Sequence, residues 1–106
     1  MHNIELAPGV TVEPGVRYGG RCRPRRRYCP EIVAHTNGDV TVYETERPEE
    51  SATLNLGALH ELLDGAVADE NGDVTIHGAE GSEQSVRTNL DALKAILAGA
   101  VVPVAA

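Results

Sequence analysis

The chain has no phenylalanine and no tryptophan, only three tyrosines and one methionine among 106 residues. Without large rings, its core must be closed by Val, Leu, Ile and Ala, and a chain of this length supports one modest core. Lysine is nearly absent too: Lys94 is the only one, so positive charge is carried almost entirely by arginine. No apolar run reaches bilayer-spanning length, and no leader-like pattern opens the sequence at Met1. The expectation is a protein that stays in the cytoplasm or is assembled there into a virion. A nucleophile elbow, a glycine-rich phosphate loop and a zinc-protease helix are all missing. No catalytic, cofactor or metal site is therefore assigned, and the reading is of a non-enzyme.

What the chain does have is one stretch written twice. Residues 33–66 and 67–100, laid over each other at an offset of 34 without a gap, agree at 17 of 34 positions. Such self-similarity has to be read before any single motif. Each copy opens on a short apolar pair (Val33-Ala34, Val67-Ala68) followed by Asn37-Gly38 or Asn71-Gly72, the strongest short-range hairpin signal. Val40 and Val42 then alternate with Thr41 and Tyr43, as Val74 and Ile76 alternate with Thr75 and His77, which predicts half-buried strands. Polar connectors without a period follow, over 45–53 and 79–88.

Each copy ends in a helix signal. Leu56, Leu59, Leu62 and Leu63 recur as Leu90, Leu93, Ile96 and Leu97, one stripe of a helix face. Asn55 and Asn89 stand at N-cap positions, and Gly65 and Gly99 where a left-handed residue would end each helix. Residues 100–104 begin a third copy that supplies only a strand, and Pro103 places that strand at an edge. With a leading strand over 31–36, the fold class is α+β, with the duplication giving the order β-β-α-β-β-α-β. Right-handed crossovers would make this a ferredoxin-like sheet with two helices on one face. Its rival is a plain pair of ββα units.

Residues 1–30 read as an N-terminal strand-and-loop arm preceding a duplicated domain over 31–106. Two Pro-Gly pairs frame a short strand at 10–12, and another is expected near 16–18. The arm holds six arginines against Glu5 and Glu13, a charge of +4, whereas 31–106 holds Arg47, Arg87 and Lys94 against fourteen carboxylates, a charge of −11. An acidic body with a basic arm is the most informative feature of the composition. Arg21, Arg23, Arg25, Arg26 and Arg27, with Tyr28 beside them, form the candidate partner-binding segment. Guanidinium groups grip phosphates or carboxylates, and Tyr28 could stack on a base or supply an apolar contact.

Cys22 and Cys29 bracket this run at C-x6-C. Reduced thiols, a disulfide and a share in a metal site are all compatible with it, though a disulfide would not persist in a reducing cell and the spacing departs from close zinc pairs. The histidines hold no recurring position: His35 aligns with Asp69, His60 with Lys94 and His77 with Tyr43, so rim positions are expected for them. Asp69 to Asp73 lacks calcium-loop spacing, and Asp39 and Asp73 are explained by the turns they follow. The function expected is self-assembly or docking to a larger shell through the arginine run, with a bacteriophage virion component (capsid decoration, tail or connector) as its particular form. Two other classes compete: an acidic inhibitor that mimics nucleic acid, and a nucleic-acid-associated protein gripping phosphate through 21–28.

Overall fold

The computed structural model describes residues 3–19, 29–45, 47–79, 81–99 and 102–103. In chain order its elements are β1 (Ile4–Ala7), β2 (Val10–Val12), β3 (Arg17–Gly19), β4 (Pro30–Ala34), β5 (Asp39–Glu44), β6 (Arg47–Asn55), α1 (Leu56–Asp64), β7 (Asp73–His77), β8 (Ser85–Asn89), α2 (Leu90–Leu97) and β9 (Val102–Pro103). This is a small α+β domain with two helices among the described residues. The strands form a five-stranded sheet in the order β6-β5-β4-β3-β9 and two ribbons, β1-β2 and β7-β8.

The Asn-Gly turns fix the local geometry. At the first, Gly38 N–H donates to the His35 carbonyl at 3.1 Å and His35 N–H to the Asp39 carbonyl at 2.9 Å, with Gly38 at φ +95°. This is a three-residue loop with glycine in the left-handed position, not the two-residue type I′ turn that Asn-Gly suggests. At the second, Gly72 N–H donates to Asp69 at 3.0 Å and Asp69 N–H to Asp73 at 2.9 Å, with Gly72 at φ +81°. Each turn also starts a helix. The Gly38 carbonyl accepts from Leu56 N–H at 3.1 Å, and the Gly72 carbonyl accepts from Leu90 N–H at 2.9 Å. Turn, strand pair and helix start therefore close on one another in both places.

Asn55 and Asn89 are the N-caps, their side chains accepting from Gly57 N–H and Ala92 N–H at 2.9 Å each. Downstream, Leu59 and Leu63 on α1, and Leu90, Leu93, Ile96 and Leu97 on α2, are buried, so the helix stripes face inward. They meet Ile32, Ala34, Val40, Val42, Ala52 and Leu54 from the large sheet and Ile76 and Val86 from the β7-β8 ribbon in one core. Leu6, Val12 and Tyr18 join that core from β1, β2 and β3.

Several expectations need correcting. A ferredoxin-like arrangement would join the strands flanking both helices in one sheet, but the described strands β7 and β8 form a ribbon of their own, apart from the five-stranded sheet. The connectors over 45–53 and 79–88 conceal strands β6 and β8. Ala52 and Leu54 point inward opposite Val42 and Val40, and Val86 lies opposite Ile76. Residues 67–70 form no strand: the turn at Asn71-Gly72 is present, but Val67 is 89% exposed. Gly65 closes α1 at φ −103°, an ordinary conformation, whereas Gly99 adopts φ +109° beyond the α2 cap Ala98. Among the described strands β9 pairs only with β3, at the sheet edge where Pro103 is tolerated.

Candidate functional site

The hairpins β5-β6 and β7-β8 approach each other where the second begins its return. Ala79 N–H donates to the Thr53 carbonyl at 2.9 Å, and the Gln84 side-chain carbonyl accepts from Thr53 N–H at 3.0 Å. Thr53 lies opposite Thr41 in the β5-β6 ladder, between the pairs Val40–Leu54 and Val42–Ala52. Beside this junction lies a cleft of about 500 Å³, lined by Glu49, Glu50 and Ser51 on β6, Thr75 on β7, and Glu83, Gln84, Ser85 and Arg87 on or next to β8. Glu49, Glu50 and Ser51 stand 34 positions before Glu83, Gln84 and Ser85. The walls are thus built from matching segments of the sequence repeat.

The charge of this cleft is set by which groups are already engaged. Arg87 is its one lining cation among the described residues. Its Nη2 donates to Asp69 Oδ2 at 2.5 Å, and its Nε lies 3.7 Å from Asp73 Oδ2. The Asp69 carboxylate also accepts from the backbone N–H groups of Asp73 (3.1 Å) and Asn71 (2.8 Å). These backbone bonds, with Arg87 adding to them, hold its pKa below the ordinary carboxylate value. Among the described residues that line the cleft, three carboxylates, of Glu49, Glu50 and Glu83, stand against one guanidinium, so the lining is acidic. Chemically it suits a basic, hydrogen-bonding partner.

A second cleft, of about 420 Å³, lies between the last turns of the helices. It too pairs residues one repeat apart, His60 with Lys94 and Leu63 with Leu97. His60 Nε2 donates to the Leu6 carbonyl at 2.5 Å, which ties α1 to the β1-β2 ribbon. His35 Nε2 sits 2.7 Å from Thr41 Oγ1, whose hydroxyl shares a 2.8 Å hydrogen bond with Thr53. His35 is half-buried, while His60 and His77 are exposed. No group of three His, Cys, Asp or Glu side chains among the described residues is placed to hold a metal ion.

The residues singled out from sequence, Arg21, Arg23, Arg25, Arg26, Arg27 and Tyr28, lie outside the described residues. Their attachment points are well placed, however. Gly19 pairs with Glu31 across β3 and β4, so the run joins two neighbouring antiparallel strands of the large sheet. On its C-terminal side the Cys29 carbonyl accepts from both Thr45 N–H (2.9 Å) and Thr45 Oγ1 (2.6 Å). Cys29 is disulfide-bonded, the second of the alternatives left open for it. Arg17, just before the run, is held over the Tyr43 ring at 4.2 Å and pairs with Glu31 at 3.5 Å.

Sequence reasoning missed the acidic cleft because its lining residues fall in what looked like loops. A signal was available: Glu46, Glu49 and Ser51 recur unchanged as Glu80, Glu83 and Ser85 within otherwise divergent connectors. No protein-family model, characterised protein or solved structure matches this chain. No described helix is long and apolar enough to cross a membrane.

Proposed function

We propose that this is a non-enzymatic assembly protein in which the arginine run of one copy docks into the acidic cleft of the next. The observation that carries the reading is the cleft itself. Three carboxylates line it, Arg87, the one cation lining it among the described residues, is bound to Asp69 and Asp73, and the same chain carries five arginines within seven positions. A contact of unlike surfaces is heterologous, so it closes into a ring or extends over a shell according to its rotation. A bacteriophage virion component is the form of this proposal that suits so small a duplicated chain. The structural unit behind it would be a duplicated ββα element. In its favour, the turn and helix-start bonds recur at an offset of 34, and both clefts are lined by residues one repeat apart.

Exposed ion pairs contribute only ~0–1 kcal/mol each, so several arginines must act together, with Tyr28 adding an apolar contact. Replacing Arg23, Arg25, Arg26 and Arg27 by Ser is expected to abolish association while leaving the monomer folded by circular dichroism. The nucleic-acid reading forecasts something else: retention of DNA or RNA by the wild type, falling steeply with salt through counterion release. Such retention, lost in the four-serine variant while self-association is unchanged, would overturn the proposal.

A further inference from the structure

The repeat writes the tripeptide Asn-Gly-Asp twice, as Asn37-Gly38-Asp39 and Asn71-Gly72-Asp73, each in a loop that leads into a strand. Asparagine before glycine carries a chemistry of its own. Glycine has no Cβ to shield its backbone nitrogen, so that nitrogen is open to attack the side-chain amide carbon of the asparagine. Both asparagines are exposed. Both glycine nitrogens are engaged alike, Gly38 N–H donating to the His35 carbonyl at 3.1 Å and Gly72 N–H to the Asp69 carbonyl at 3.0 Å. The nucleophiles are matched, and the difference lies at the amide under attack.

In the first loop Asp39 N–H donates to Asn37 Oδ1 at 3.1 Å, and Asn37 Nδ2 donates to Asp39 Oδ2 at 3.3 Å. Both ends of the Asn37 amide are thus tied to the residue beyond the glycine. In the second loop Asp73 N–H donates to Asp69 Oδ1 instead, at 3.1 Å. The cause is the residue that opens each loop. The Asp69 carboxylate turns into its own loop and also takes Asn71 N–H at 2.8 Å, whereas His35 reaches away to Thr41. The Asn71 side-chain amide is left without a protein partner among the described residues.

We infer that Asn71 is a self-modifying site, at which the folded chain deamidates well ahead of Asn37. The Gly72 nitrogen bonds to Asn71 Cγ, the Cγ–Nδ2 bond breaks, and the proton of that nitrogen leaves with the amide as ammonia. Water then opens the cyclic imide, at Cγ to give aspartate or at the backbone carbonyl to give isoaspartate. Isoaspartate routes the main chain through the side-chain methylene, which lengthens the loop just before Gly72. The Gly72 carbonyl accepts from Leu90 N–H at 2.9 Å and from Asn89 Nδ2 at 3.2 Å. Conversion therefore loosens the start of α2. Either product also adds negative charge to the loop that holds Asp69, the partner of Arg87. The arginine run takes no part, so this site stands independently of the docking proposed above.

The test ages the intact folded protein at mildly alkaline pH and follows each Asn-Gly pair by peptide mass mapping. Product at residue 71 should accumulate severalfold faster than at residue 37. In denaturant, where the loop hydrogen bonds are gone, the two rates should draw together. Amide hydrogen exchange reads the consequence. Leu90 N–H should exchange severalfold faster in aged than in fresh protein, while Leu56 N–H, bonded to the Gly38 carbonyl at 3.1 Å, should not change. An Asn71→Gln variant aged alongside should keep the Leu90 exchange rate of fresh protein. Conversion at Asn37 that matches or outruns Asn71 in the folded protein would overturn the inference. So would an advantage of Asn71 that persists undiminished in denaturant, or a converted wild type whose Leu90 amide exchanges no faster than before.

Discussion

Asp69 and His35 stand at matching positions of the repeat and solve the same turn differently. The backbone of each closes a loop ending at an aspartate two hydrogen bonds later. Asp69 adds a carboxylate that accepts from Asn71 and Asp73 and binds Arg87, whereas His35 reaches into the sheet to Thr41. Because the folded state holds the Asp69 carboxylate below its ordinary pKa, the unfolded chain takes up its proton first as pH falls. The resulting stabilisation is present above the ordinary carboxylate value of about 4 and is lost below it, as pH drops through the lowered folded value. Acid titrations of denaturation midpoint should therefore fall less steeply below pH ~4 for Asp69→Asn than for wild type; parallel curves would deny Asp69 this role. The turn glycines make a second forecast. At φ +81°, Gly72→Ala should cost ~1–2 kcal/mol for the left-handed conformation. Its new Cβ also meets Asn89 Nδ2 at 3.3 Å, so the loss should be at least that of Gly38→Ala, where the nearest atom is 3.9 Å away.

At the scale of elements, the helices were the most legible part of the sequence. The leucine stripes and the Asn caps are local signals, and the structure places both as read. Leu59 and Leu93 are fully buried at the centres of α1 and α2. Either changed to Ala should lower stability by ~2–5 kcal/mol through the cavity left behind, and a loss below half a kilocalorie in a denaturant midpoint would mean that the stripe does not face the core. Strands β6 and β8 were not legible. Their inward positions are Ala52, Leu54, Val86 and Thr88, and two of these four carry too little apolar surface to register as a period of two. The glutamates and serines that precede them read as loop. The reverse error at Val67-Ala68 has a physical source as well. The segment copies the start of β4 in sequence, but it follows directly on α1 and its turn, and it lies without a ladder. The sheet topology was equally out of reach, because it depends on β6 and β8, the two strands that the connectors concealed.

For the whole molecule, the site divides in the same way. Charge asymmetry between residues 1–30 and 31–106 was plain in composition, and it named the arginine side of the proposed contact. The receiving side was hidden, since Glu49, Glu50 and Glu83 converge only once β6 and the loop into β8 are folded against each other. Head-to-tail docking requires one arginine run and one cleft, contributed by different copies, and this allows a complementation measurement. One variant carries Arg23, Arg25, Arg26 and Arg27 as Ser and keeps its cleft; the other carries Glu49→Gln and Glu83→Gln and keeps its arginines. Analytical ultracentrifugation at low salt should find each variant monomeric alone and a one-to-one complex when they are mixed. A mixture that remains monomeric, or a cleft variant that still associates with itself like wild type, would contradict the docking of arginine run into acidic cleft.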